Sequence, residues 1–196
     1  MKQEIIEPGF IYHIYNRGNN RENIFIEERN YLFFLHLMKK YLLVISDVYA
    51  YCLLKNHFHI LLRVKEYDKL PEKYKAKISQ PISNMFNAYT KSINKIYKRS
   101  GSLFQEHLRR HRVENEKYLI NLLLYIHLNP AKHGFTDDYR KYRYSSYSAY
   151  LSNDVTNIDR DAIFDMMEGK EDFIYLHEQK KIMYNELLEE IESMDV

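Results

Sequence analysis

The chain has 196 residues, 45% of them apolar, which suits one domain, or one domain with an extension, and excludes wholesale disorder. A single cysteine, Cys52, excludes an intrachain disulfide; with no secretory pattern at Met1-Lys2-Gln3-Glu4 and no apolar run of membrane-spanning length, it points to a cytoplasmic protein without a membrane partner. The net charge of +2 hides an asymmetry: residues 151–196 carry 4 Lys/Arg against 13 Asp/Glu, and residues 1–150 carry 25 against 14, so a polyanion is the expected partner of the basic body.

Phe10 to Tyr15 is short and rich in β-formers, which predicts a strand. It runs into a polar loop, Asn16-Arg17-Gly18-Asn19-Asn20-Arg21. Arg17 and Arg21 there can hold phosphates, or the loop is a solvated turn. Glu28 to Leu43 predicts an amphipathic helix, with Leu32, Phe34, Leu35, Met38 and Leu42 along it and His36 toward solvent. Val48 to Leu54 and Asn56 to Leu62, ending near Val64, flank a short polar connection, Lys55-Asn56, and predict a β-hairpin. Tyr67 to Pro81, charged and with two prolines, reads as a loop, and Ile82 to Tyr97 as a helix with a basic end. Gly101-Ser102-Leu103-Phe104-Gln105 leads into His107 to Val113, a strand with basic residues on one or both faces. Its Arg109, Arg110 and Arg112 suit phosphate contact; plain surface is the second reading of the stretch, and metal at its histidines the third. Glu116 to Leu128 predicts a helix capped by Asn115 and stopped by Pro130. Tyr139 to Leu151 is rich in tyrosine and serine and partly helical. Ile158 to Met167 and Asp172 to Ile191 read as two acidic amphipathic helices, giving a body of residues 1–151 and an acidic helical extension of residues 152–196.

Without the extension the order is strand, helix, strand, strand, helix, strand, helix. The first six match the ferredoxin-like split unit, an α+β fold whose antiparallel sheet carries two helices on one face. The other face is open, and the third helix can lie across part of it.

The chemistry suggested by the residues centres on His57 and His59. Side chains two apart on a strand share a face, so the two imidazoles project together and form half of a metal site, unless they are semi-buried packing residues. Tyr125 and Asn129 are four apart on the third helix and share a face as well. Tyr125 reads either as packing or as a nucleophile whose phosphate target is neutralised by a cation. Asn129 can add a carbonyl oxygen.

Six segments carry a resemblance in order: Tyr12 to Arg21, Ala50-Tyr51-Cys52-Leu53, Asn56 to Leu62, Gly101 to Gln105, Tyr125-Ile126-His127-Leu128-Asn129-Pro130, and Tyr144-Ser145-Ser146-Tyr147. Over about residues 8–151 the chain resembles the single-tyrosine HUH transposases, and within them the REP-associated tyrosine transposases. The resemblance implies a ferredoxin-like fold and a metal-dependent endonuclease and strand transferase that cuts and rejoins single-stranded DNA at hairpin-flanked sites with Mg²⁺ or Mn²⁺. It implies that His57 and His59 are metal ligands with Asn129 as the third, that Tyr125 is the nucleophile, and that Asn16, Arg17 and Arg21 contact single-stranded DNA. Family members commonly have proline where this chain has Lys55. Two rival readings are a non-catalytic module that binds DNA or RNA hairpins and a phosphodiesterase that uses water. Monomer and homodimer are both left open.

Overall fold

The computed structural model describes residues 4–106 and 108–182. Lys55-Asn56 is the tight end of a hairpin, as the sequence predicts. Strands β2 (Ser46–Leu54) and β3 (His57–Val64) leave it antiparallel, with Leu54 opposite His57. Strand β1 (Ile11–Arg17) pairs with the other edge of β3, and β4 (Arg109–Val113) pairs with β1. The sheet order is β2-β3-β1-β4 with every pair antiparallel, the ferredoxin-like arrangement.

Alternation along β3 sorts its side chains between two worlds. Phe58 faces α1 (Glu28–Tyr41), where its ring lies 5.2 Å from that of Phe34. Helix α2 (Glu72–Lys75) is a single turn inside the segment expected to be a loop, and α3 (Ser79–Ile96) follows it. Phe86 of α3 lies 5.2 Å from Phe58, and Phe104 closes the same cluster at 5.9 Å. His57 and His59 face the other way, toward α4 (Glu116–Lys132). Two helices thus cover one face, and the third crosses part of the other.

Several boundaries differ from those expected, each for a local reason. Strand β1 continues to Arg17 because Asn16 and Arg17 find partners in Phe58 and His57. Helix α3 begins before Pro81, since a proline in the first turn forfeits no intrahelical bond. On α1 the inward residues are Tyr31, Phe34, Leu37 and Met38, whereas Leu32 is exposed. Pro130 does not stop α4. It sits in the last turn, where it removes one bond, and the helix ends only at Lys132 with His133 N–H donating to the Asn129 carbonyl. Asn129 is therefore inside the helix. Asn115 caps its start, accepting from the Tyr118 amide at 2.8 Å.

The loop after β1 is welded to the hairpin. Gly18 N–H donates to the Asn56 carbonyl (2.7 Å), and Ile24 and Phe25 N–H both donate to the Lys55 carbonyl. Those bonds hold the turn in a chain that lacks the proline. A Cβ on Gly18 would lie 2.0 Å from the Glu22 carbonyl oxygen, so only glycine fits. Gly18→Ala is expected to cost about 2–4 kcal/mol in urea unfolding, at the destabilising end of single substitutions. A midpoint unchanged from wild type would show that the loop gives way easily.

The described part of the acidic extension packs on the body. After α5 (Tyr147–Leu151), a bridge pairs Ile158 with Val48 on the outer edge of β2. Helices α6 (Arg160–Met166) and α7 (Lys170–Ile182) follow, and Ile163, Phe173 and His177 are fully buried. The expected helical stretch from 183 to 191 lies outside the described residues. Burial lowers the His177 pKa from 6.5 to about 4. Between those values the unfolded chain binds more protons than the folded one, so the stability from a neutral His177 is complete above pH 6.5 and falls as the pH drops toward 4. The expected loss is about 3 kcal/mol. Urea titrations of wild type and His177→Gln from pH 7 to 4 measure it by difference, the variant keeping the slope that the other buried histidines contribute.

Candidate active site

The site grows from the register of three elements. Strand β3 presents His57 and His59, β1 presents His13, Tyr15 and Arg17 on the same face, and α4 lays Tyr125 and Asn129 above them. Arg17 is the cross-strand partner of His57, and Tyr15 that of His59.

His57 Nδ1 is 2.7 Å from Asn56 Oδ1, which can only accept, so Nδ1 carries the proton and Nε2 keeps a lone pair. That Nε2 lies 3.4 Å from Asn129 Oδ1, another acceptor. Asn129 is fully buried, and its Nδ2 has no hydrogen-bond partner. His59 Nδ1 is 3.0 Å from His13 Nε2, while His59 Nε2 is buried and without a partner. The Tyr125 ring, half-buried, stands edge-on to His59 at 5.4 Å between centroids. The rings of His57 and His59 are 5.4 Å apart.

Buried polar atoms are ordinarily satisfied, so lone pairs left facing one another ask for a cation. Burial also keeps the imidazoles neutral, the form that binds metal. It lowers the His57 pKa to about 4, aided by the nearby His133, and holds that of His59 well below 6.5, aided by His13 and His57. The donor set of two imidazoles and an amide oxygen fits a divalent ion. Among the described residues no group of three or more His, Cys, Asp or Glu side chains is placed to hold one, so oxygen from water or phosphate would complete the shell.

The basic residues separate. Arg17 is half-buried at the edge of the site, close enough to act electrostatically on His57 and His59. Arg109 lies on the same sheet face, its guanidinium 6.0 Å from the Tyr15 ring centre, and His111 Nε2 is 3.2 Å from Tyr15 Oη. Arg110 and Arg112 pair across from Ile14 and Tyr12 and so lie on the opposite face. Arg110 donates to the Glu4 carbonyl, and Arg112 meets Glu7 at 3.3 Å and covers the Phe10 ring. Asn16 also lies on that face, its amide turned to the Gln105 carbonyl. Arg21 is exposed in the turn Asn19–Arg21 with φ +61°.

Sequence reasoning passed over His13 and His133. The signal for His13 was its alternation with Tyr15 and Arg17 on a strand that neighbours β3. His133 ends α4 one turn beyond Asn129, with its ring 5.1 Å from that of His57.

No model of a protein family matches the chain. It is 29% identical over 108 residues to a Haemophilus influenzae protein provisionally named a REP-associated tyrosine transposase, a match covering 52% of this chain and 58% of that one. The match thus spans little more than half of that relative. A solved structure of a REP-associated tyrosine transposase bound to a REP hairpin superposes with a TM-score of 0.63 at 17% identity, covering 82% of this chain and 95% of the other. The chain is therefore similar to REP-associated tyrosine transposases in sequence and shares the fold of one of them. Among the described residues no helix is long and apolar enough to cross a membrane.

Proposed function

We propose that this protein is a divalent-metal-dependent single-strand DNA endonuclease and strand transferase, acting at hairpin-flanked DNA with Tyr125 as its nucleophile. The observation that carries the reading is the meeting of Tyr125 with His59, whose buried Nε2 has no partner, beside a His57 lone pair opposed by Asn129 Oδ1. His57, His59 and Asn129 would hold Mn²⁺ or Mg²⁺, and two imidazoles favour Mn²⁺. When bound, the ion supplies charge neutralisation at the scissile phosphate. Tyr125 Oη attacks phosphorus, the bond to the 3′ oxygen breaks, and the phenol proton is transferred in net to that oxygen. A 5′-phosphotyrosyl link and a free 3′-hydroxyl result. A second strand's 3′-hydroxyl reverses the step, so no nucleotide cofactor is needed. Asn56 and His13 fix the two imidazoles, and Arg17 and Arg109 hold the strand by its phosphates.

The test is incubation of the protein with single-stranded fragments carrying a hairpin, plus Mn²⁺, followed by a denaturing gel. A covalent protein–DNA adduct is expected. Binding without product would favour a non-catalytic hairpin module, and product without adduct a water-using phosphodiesterase. In the same system Arg17→Ala should weaken hairpin binding about 5–20-fold and lower the slope of log affinity against log salt by about one. Arg112→Ala, held by Glu7 on the other face, should change both less. Equal effects of the two would mean that the DNA does not follow the open face.

A further inference from the structure

The acidic extension reaches the catalytic helix through a buried chain of hydrogen bonds whose direction follows from its carbonyl end. The Phe173 carbonyl can only accept, so His177 Nδ1, 2.7 Å away, carries the proton. His177 Nε2 is then an acceptor, and His127 Nδ1 donates to it at 2.9 Å. His127 Nε2 is then left as an acceptor for Ser146 Oγ at 2.8 Å, nearer than the Tyr51 carbonyl at 3.2 Å, and Ser146 Oγ accepts from the Tyr51 amide at 2.9 Å. His127, Ser146 and His177 are each fully buried. The chain therefore ties β2, the serine-containing segment before α5, α4 and α7 together with no donor left over.

Its place on α4 is what matters. Tyr125 and Asn129 are four apart and share a face, whereas His127, two from each, points to nearly the opposite side. Helix α4 is thus gripped from behind at the level of its functional residues. Rings of Phe173, Tyr147 and Tyr139 surround His177 at 4.2 to 6.0 Å, and Tyr139 donates to Glu178 on the next position of α7. A side chain so enclosed is held on several sides, and its bond to His127 meets α4 at the level of Tyr125 and Asn129.

We propose that α7, through His177, is a positioning element: it fixes the rotation and height of α4, and so the placement of Tyr125 and Asn129 over His57 and His59. The extension then belongs to the catalytic apparatus without touching substrate. This rests on the reading of Tyr125 and Asn129 given above, but the placement of α4 can be measured without it.

The full chain with His177→Leu is compared with wild type and with His177→Gln, whose amide oxygen can still accept from His127. Single-turnover cleavage is measured well below the unfolding midpoint of every variant, alongside hairpin affinity, Mn²⁺ affinity by calorimetry, and a crystal structure of the leucine variant. Misplacement of reacting groups by about 1 Å costs up to about 100-fold, so His177→Leu should cut about 10–100-fold more slowly with hairpin affinity unchanged. Its Mn²⁺ affinity should fall through Asn129, and His177→Gln should recover most of both losses. A lower unfolding midpoint with wild-type rate and Mn²⁺ affinity would overturn the proposal and leave α7 merely stabilising. If wild type does not cut at all, the proposed function fails, and the crystal structure decides the positioning separately. Tyr125 displaced from His59 supports it, and an unmoved α4 overturns it.

Discussion

Tyr125→Phe is expected to lose cleavage by at least about 1,000-fold and to form no adduct, while hairpin affinity stays within about twofold of wild type. The substitution removes one oxygen and keeps the ring that stands edge-on to His59 at 5.4 Å. Tyr125 is half-buried among otherwise buried neighbours on α4, so the helix keeps its packing and lost folding is a poor explanation for lost rate. Water cannot take over easily, because the acceptor phosphate would be aligned for an oxygen on the helix side. Two other tyrosines serve as controls. Tyr118 is on the same helix but seven residues earlier, about 10 Å along the axis, too far to replace Tyr125. Tyr15 is nearer, its ring 5.8 Å from His59, with its hydroxyl within hydrogen-bond distance of His111. Tyr15→Phe should keep the adduct. If Tyr125→Phe cuts as fast as wild type and Tyr15→Phe does not, Tyr15 is the nucleophile.

What the sequence made legible is what depends on short-range period. The His57/His59 pair needed only strand alternation, and Tyr125 with Asn129 only the helical repeat. The strand order and the hairpin at Lys55-Asn56 followed from turn chemistry and the sequence of elements. What stayed hidden depends on partners distant in the chain. Arg109, Arg110 and Arg112 look like one basic strand, yet consecutive residues face opposite ways, and only pairing with β1 shows that Arg109 faces the site while Arg110 and Arg112 meet Glu4 and Glu7. Pro130 reads as a stop from its missing N–H, yet in the last turn of α4 it forfeits only one bond. Phe173 and His177 fall on a helix that reads as amphipathic, but nothing local shows what its inner face meets; His127, the partner of His177, lies 50 residues away.

The double variant His13→Leu/His59→Leu should be more stable than wild type and unable to bind metal. In wild type two imidazole nitrogens, His13 Nδ1 and His59 Nε2, are buried without a hydrogen-bond partner. Each such atom costs about 1–3 kcal/mol, and replacing both partners of a buried pair by apolar groups of similar shape is neutral or stabilising. Losing the 3.0 Å bond between His59 Nδ1 and His13 Nε2 costs less than those two orphans. The unfolding midpoint without metal should therefore rise. For wild type, Mn²⁺ at about 100 times its dissociation constant should add about 2.7 kcal/mol, and for the double variant nothing. The single variant His13→Leu separates the two roles. Metal binding at His59 Nε2 requires Nδ1–H to donate to His13 Nε2; His13→Leu removes that acceptor, so Mn²⁺ affinity should fall about 10–100-fold rather than vanish. His13→Gln, whose amide oxygen can accept from His59 Nδ1–H, should restore most of it. Had these histidines been selected for packing, the double variant would lose nothing but polarity and wild type would show no Mn²⁺ shift. A stable double variant that still gains stability from Mn²⁺ would place the ion elsewhere. Function kept at the expense of stability is the expected signature of a site whose lone pairs are waiting for a ligand.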